Sequence, residues 1–172
     1  MDKQAVFEQV VKMTAPCRPG RCLYASLSTM FLLKDEYPDL LVQAGSMSWP
    51  IIPPELDDGV SPTHFYYEWS SSHPDTLMAI MQNRMPEMHV WLVIPSTEEI
   101  IDMTTYELPI MVEEKARLKW QSPRPPDFLW VNFNAIPSNV IYRANGDAIS
   151  LALNYMARTV RSGQFKEFQE RM

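Results

Sequence analysis

Apolar and polar positions follow two different periods along this chain. Residues 2–13 keep the helical one: Val6, Val10 and Met13 share a face with Phe7 beside them, while Lys3, Gln4 and Glu8 point away. Pro16 and the Pro19-Gly20 pair interrupt the pattern. A second helix is expected from about Leu23 to Lys34, nearly free of charge, as in a helix buried on most sides. Ala25, Ser26 and Ser28 are small enough to let neighbouring elements approach, and Tyr37-Pro38-Asp39 ends the run. The pattern then turns strand-like. Residues 40–49, LLVQAGSMSW, predict a strand with Gly45 placed for a bulge. Four prolines and Asp57-Asp58-Gly59 make residues 49–62 a loop, suited to forming one wall of a cleft.

HFYYEW at 64–69 reads as an aromatic strand, and DTLMAIMQNR at 75–84 as a short helix with Asp75 at its N-cap. MHVWLVI at 88–94 is β-branched, aromatic and apolar on both faces, hence central in a sheet. EEIIDMTT at 98–105 returns as its neighbour. Residues 106–120 are ambiguous, with room for a short helix in IMVEEKARLKW. SPRPPD at 122–127 is a stiff, exposed connection; FLWVNFNA at 128–135 and NVIYRA at 139–144 predict a further hairpin. A long helix is expected from Asp147 to Met172, its inner face drawn from Ile149, Ala152, Leu153, Met156 and Val160, with polar last turns prone to fraying. Helices first, a mainly antiparallel sheet next and a closing helix last make an α+β chain rather than a doubly wound α/β one. With no repeat, low-complexity stretch or internal boundary, residues 1–172 are expected to form a single domain.

Composition narrows the function classes. The chain has 46% hydrophobic and 21% charged residues, within the range of soluble globular proteins. A net charge of −6 argues against general affinity for nucleic acid or anionic membrane. Fifteen prolines against five glycines imply several stiff, extended connections. The two cysteines, Cys17 and Cys22, are too few for a disulfide framework, and no second Cys or Cys/His pair completes a zinc site. MDKQAVFEQVVK lacks a signal peptide's apolar core, and no run of apolar residues is long enough to span a bilayer. The expectation is a reducing, cytoplasmic setting, with no metal and no cofactor.

Candidate chemistry starts at Cys22, where an apolar helix begins. A thiol there feels unpaired backbone N–H groups and the positive end of the helix dipole, which favour thiolate and prepare a nucleophile. Free cysteine is also among the most buried residue types, so a plain core role stands beside this one. A nucleophilic thiol needs a base, and the chain offers His64, His73 and His89. His73 lies in a polar turn, and His64 opens an edge-like strand and is the fallback. His89 begins the most buried strand, where an imidazole is costly unless hydrogen-bonded. Asp102 interrupts an apolar run on the next strand. A two-residue turn sets His89 and Asp102 directly opposite. A four-residue turn sets Asp102 opposite Trp91 and diagonal to His89, at roughly 7–8 Å between backbones. A three-residue turn puts them on opposite faces. A core histidine satisfied by a neighbouring acid is the structural alternative to a catalytic pair.

Gly20-Arg21-Cys22 with Ala25, then His89-Val90-Trp91, then Asp102-Met103-Thr104 resembles the transglutaminase-like branch of the papain-like cysteine-peptidase superfamily, over roughly residues 18–105. The resemblance implies Cys22 as nucleophile, His89 as general base and acid, and Asp102 as the group orienting the imidazole. It also implies a nucleophile helix packed on the antiparallel sheet that carries the other two. No glutamine or tryptophan lies close before Cys22 as papain-type oxyanion holes require, and Gln9 is too far upstream to align. The Cys22 N–H is then one oxyanion donor, with Gln43 and Tyr24 the candidates for the second. The chain from Ser122 onward has no counterpart.

These residues imply a cysteine-dependent acyl-transfer enzyme acting on a protein or peptide-like amide, by hydrolysis of a peptide or isopeptide bond or by transfer to an amine. Arylamine acetyl transfer is a variant with the same residue order. Trp49, Tyr66, Tyr67, Trp69 and Trp91 are candidates to line a cleft, or plain core. The alternative from another class is a non-catalytic binding or inhibitory module on the same scaffold. The oligomeric state is not set by the sequence.

Overall fold

A computed structural model of the chain describes residues 2–15, 21–59 and 62–162. The expected turn at Pro19-Gly20, Cys17, and the last turns of the C-terminal helix lie outside the described residues.

The first helix, α1 (Lys3–Thr14), is capped by Asp2, whose carboxylate accepts the Gln4 N–H at 3.1 Å. It buries the predicted stripe of Val6, Phe7, Val10 and Met13. The second, α2 (Arg21–Leu33), starts two residues before the expected position, so Cys22 lies within its first turn. Its small residues are used as anticipated: Ser26 is buried, and its hydroxyl donates to the Val90 carbonyl oxygen at 3.3 Å.

Among the described residues the chain is α+β, with five α-helices and a six-stranded antiparallel sheet. The strands are β1 (Leu41–Pro50), β2 (His64–Tyr67), β3 (His89–Ile94), β4 (Glu99–Asp102), β5 (Leu129–Asn132) and β6 (Ile141–Ala144). The remaining helices are α3 (Pro74–Met81), the single turn α4 (Leu108–Met111) and α5 (Gly146–Arg161). The sheet order is β2-β1-β3-β4-β5, with β6 also on β1. Gly45 on β1 faces both His89 and Ala144, and an ideal Cβ there would lie 2.1 Å from the Arg143 carbonyl oxygen. Only glycine lets β6 come that close.

The long hub strand and the central strand divide the core. Val90, Leu92 and Ile94 face the helices, packing with Val10, Leu23, Val42, Ala152 and Met156. Trp91 packs on the other face with Ile100 and Leu129, beside a cluster of Met47, Trp49, Leu108 and Val140. That double burial is why MHVWLVI carries no polar alternation. Among the described residues no helix is long and apolar enough to cross a membrane.

Four local expectations are corrected. The third helix is capped by His73, not Asp75: Pro74 fits the first helical position, which moves the cap back two residues, and the His73 ring accepts the Asp75 N–H at 3.3 Å. The strand expected over 98–105 is only four residues. Glu98 takes a left-handed backbone at φ +53°, and Asp102 accepts the Thr104 N–H at 2.9 Å, an Asx turn that ends pairing. The strands in 128–135 and 139–144 exist but do not form a hairpin, since β5 pairs with β4 and β6 with β1. Their connection carries the partly buried Ile136 and the buried Val140, which pack on the sheet face that holds Trp91 and Met47. Finally, α5 turns Ala148, Ala152, Met156 and Thr159 inward and leaves Leu153 and Val160 nearly half exposed (46% and 49%). The small alanines allow the helix to lie close on β1.

Candidate active site

The link between β3 and β4 is the four residues 95–98, and the register pairs Leu92 with Ile101. One step further along that register sets Asp102 opposite Trp91 and His89 diagonal to it. The side chains close the diagonal: His89 Nε2 lies 2.6 Å from Asp102 Oδ2, with both side chains 1% exposed. Asp102 is saturated. Its Oδ2 also accepts the Tyr142 hydroxyl at 2.8 Å, and its Oδ1 accepts the Thr104 N–H at 2.9 Å and the Thr104 hydroxyl at 2.7 Å. The indole N–H of Trp49 donates in turn to the Tyr142 oxygen at 3.4 Å. The imidazole is held between aromatic rings, stacked on Tyr67 at 5.2 Å and on Trp91 at 6.0 Å between centroids.

These contacts fix the charge states. Burial opposes the charged imidazolium, but the Asp102 charge and hydrogen bond outweigh it, with Cys22 contributing, and His89 is pushed up to about 10. Burial likewise opposes the Asp102 anion, yet the His89 charge, its hydrogen bond and the Thr104 donors hold the carboxyl below its ordinary value. The Tyr67 and Tyr142 phenols are both raised, chiefly by burial and then by nearby negative charge, so each remains a donor.

Cys22 is half-buried at the start of α2, packed against the edge of the main core. Its sulfur is close enough to act on the imidazole through hydrogen bonding and charge. Among the described residues His89 Nδ1 is buried and has no hydrogen bond of full geometry. The thiol is thus within reach of the ring without being aligned on it, a looseness common at catalytic contacts in the absence of substrate. The first turn of α2 is clamped from outside. Arg21 forms an ion pair with Glu107, donates to the Tyr106 hydroxyl at 3.1 Å and reaches the Ala15 carbonyl at 3.4 Å.

The structure therefore brings Cys22, His89 and Asp102 to one place, each on a different element. It does not bring the fallback histidine there: the Nδ1 of His64 meets the Thr63 hydroxyl at 3.0 Å, and His73 is spent on its cap. Gln43 pairs with Trp91, two residues along β1 from the Gly45 position that faces His89. Of the five candidate cleft aromatics, Trp49, Trp69 and Trp91 are buried, Tyr66 is exposed, and Tyr67 covers the imidazole. Trp69 is tied by its indole N–H to Asn145 at 3.0 Å. The residue that sequence reasoning missed is Tyr142. It sits 40 positions after Asp102 in a strand whose partner was misassigned, so no local pattern points to it. Among the described residues no group of three His, Cys, Asp or Glu side chains is placed to hold a metal ion.

No protein-family model, curated protein or solved structure matches this chain significantly.

Proposed function

We propose that this protein is a cysteine-dependent acyl-transfer enzyme. The observation that carries the proposal is a buried His89–Asp102 hydrogen bond whose imidazole also lies within the influence of the half-buried thiol of Cys22. His89 already carries the proton given up by Cys22, and the Cys22 thiolate adds to an amide carbonyl. Collapse of the adduct breaks the C–N bond, the imidazolium proton leaves with the amine, and a thioester remains. Water or a second amine then attacks the thioester, His89 takes its proton, and the acid or new amide departs as the thiolate is released beside the imidazolium. Asp102, held as an anion by four donors, stabilises the imidazolium and keeps the ring oriented. The Cys22 backbone N–H, in the first helical turn, is the natural first oxyanion donor.

A papain-like or transglutaminase-like core is the finer fold reading that goes with this chemistry. Support comes from the packing of α2 on β3 and from the order nucleophile helix, histidine strand, aspartate strand. Protein or peptide-like amides are the proposed substrates, and a reducing compartment such as the cytoplasm keeps the thiol available.

The test is acyl-enzyme formation with p-nitrophenyl acetate. A burst of nitrophenol with one acetyl group mapped to Cys22 is expected, absent in Cys22→Ala and slowed about 100-fold or more in His89→Ala. Acetylation of Cys22 no faster than that of Cys17 would overturn the proposal and leave a binding or inhibitory module on the same scaffold.

A further inference from the structure

We infer that Tyr142 and Trp49 are positioning residues of this site, forming an indole–phenol–carboxylate chain that dictates which imidazole nitrogen carries the proton. The inference rests on the acyl-transfer reading of Cys22, His89 and Asp102.

The argument is one of proton accounting. An indole N–H can only donate, so at 3.4 Å from the Tyr142 oxygen it occupies a lone pair there. The single phenolic proton is then directed to Asp102 Oδ2, 2.8 Å away. That oxygen also faces His89 Nε2 at 2.6 Å, and Oδ1 already accepts both donors of Thr104. A carboxylate offers about four acceptor sites, and here all are filled. Asp102 has no site left for a proton of its own, so Nε2 must carry one as a donor. The nitrogen that exchanges protons with Cys22 is thereby Nδ1. Without the phenol, Oδ2 has a free lone pair, and its negative charge is concentrated on the imidazole.

The groups facing the His89–Asp102 pair are Cys22 from α2, Tyr67 from β2, Tyr142 from β6 and Thr104 beyond β4; Glu107 and Glu87 act on Tyr67 by charge. Among these groups, Tyr142 contacts Asp102 Oδ2 and is itself held by a second side chain, Trp49. Tyr142 and Trp49 also pack in the apolar clusters on that face, so a purely structural role must be separated from a positioning one.

Nitrogen-15 NMR of His89 in the full chain separates them, because it reads titration midpoint and tautomer directly. In the parent, the neutral ring is expected as the Nε2–H tautomer. Tyr142→Phe should raise the His89 midpoint by about half a pH unit, a roughly threefold gain in proton affinity. Trp49→Phe should shift it less, in the same direction, and should add nothing in the Tyr142→Phe background, since Trp49 acts only through the phenol. Replacing tyrosine by 3-fluorotyrosine, which strengthens the donor and keeps the packing, should move the midpoint down, and this serves if a phenylalanine variant does not fold. An unchanged midpoint with Tyr142→Phe or 3-fluorotyrosine, or a Trp49→Phe shift that persists without the phenol, overturns the inference. Failure of the acyl-transfer reading is seen separately, as acetylation of Cys22 no faster than that of Cys17 while the His89 shifts remain.

Discussion

Asp102→Asn is the most informative single change, because its consequence is a slope and not only a loss. In the parent, His89 is raised to about 10 by its buried partner, against about 6.5 in an unfolded chain. Between those values the folded protein holds a proton that the unfolded chain has released. Stability from this group is therefore complete below about pH 6.5 and falls by about 1.4 kcal/mol per pH unit as the pH rises toward 10. From pH 7 to pH 9 the loss is about 2–3 kcal/mol. Asp102 has the opposite sign: its folded value is depressed, so its contribution is present above about pH 4 and disappears as acid protonates it. Asparagine preserves the shape but removes the charge that overcomes burial, so His89 becomes a neutral buried ring and the alkaline slope disappears. The assay is urea denaturation at pH 7, 8 and 9 on parent and variant, compared as a difference of slopes so that other titrating groups cancel. Cys22→Ala should keep most of the slope, since the carboxylate contributes more than the sulfur to the raised value. Parallel pH profiles for parent and Asp102→Asn would refute the buried ion pair, whatever the two absolute stabilities.

Two further changes test the scaffold. Gly45→Ala forces a methyl group against the Arg143 backbone at 2.1 Å, so β6 must move off β1. A loss of about 2–4 kcal/mol in urea denaturation is expected, and a change within about 0.5 kcal/mol would mean the close approach does not exist. On α5, Met156→Ala should cost about 2–5 kcal/mol and Leu153→Ala less than about 0.5 kcal/mol, as their burial dictates. A loss at Leu153 comparable to that at Met156 would restore the helix face expected from hydropathy.

What could be read from the chain follows from where each signal resides. The His89–Asp102 pairing was accessible because strand alternation has a period of two and the connecting turn is short, leaving few registers to consider. The first two helices were accessible because their apolar stripes and the charge-free run at 23–33 are local features. Tyr142 was not, since its role depends on β6 pairing with β1, a contact nearly a hundred residues apart in sequence. Sequence order suggested the nearer partner β5, whereas the packing of Ile136 and Val140 along the way favours the longer route. The face of α5 was misjudged for a related reason. Hydropathy ranks leucine and valine above alanine, whereas a helix laid closely on a strand selects for small side chains.

The five residues from Met103 to Glu107 bind both halves of the candidate site, with Thr104 gripping the Asp102 carboxylate and Glu107 tethering Arg21 beside the thiol. One short stretch of backbone is therefore a shared hinge-pin. Anything that pried it loose, whether a docking protein, a protease cut or a lesion, would unseat the Cys22 thiol and the Asp102 anion in the same event, so the candidate site fails whole instead of by degrees.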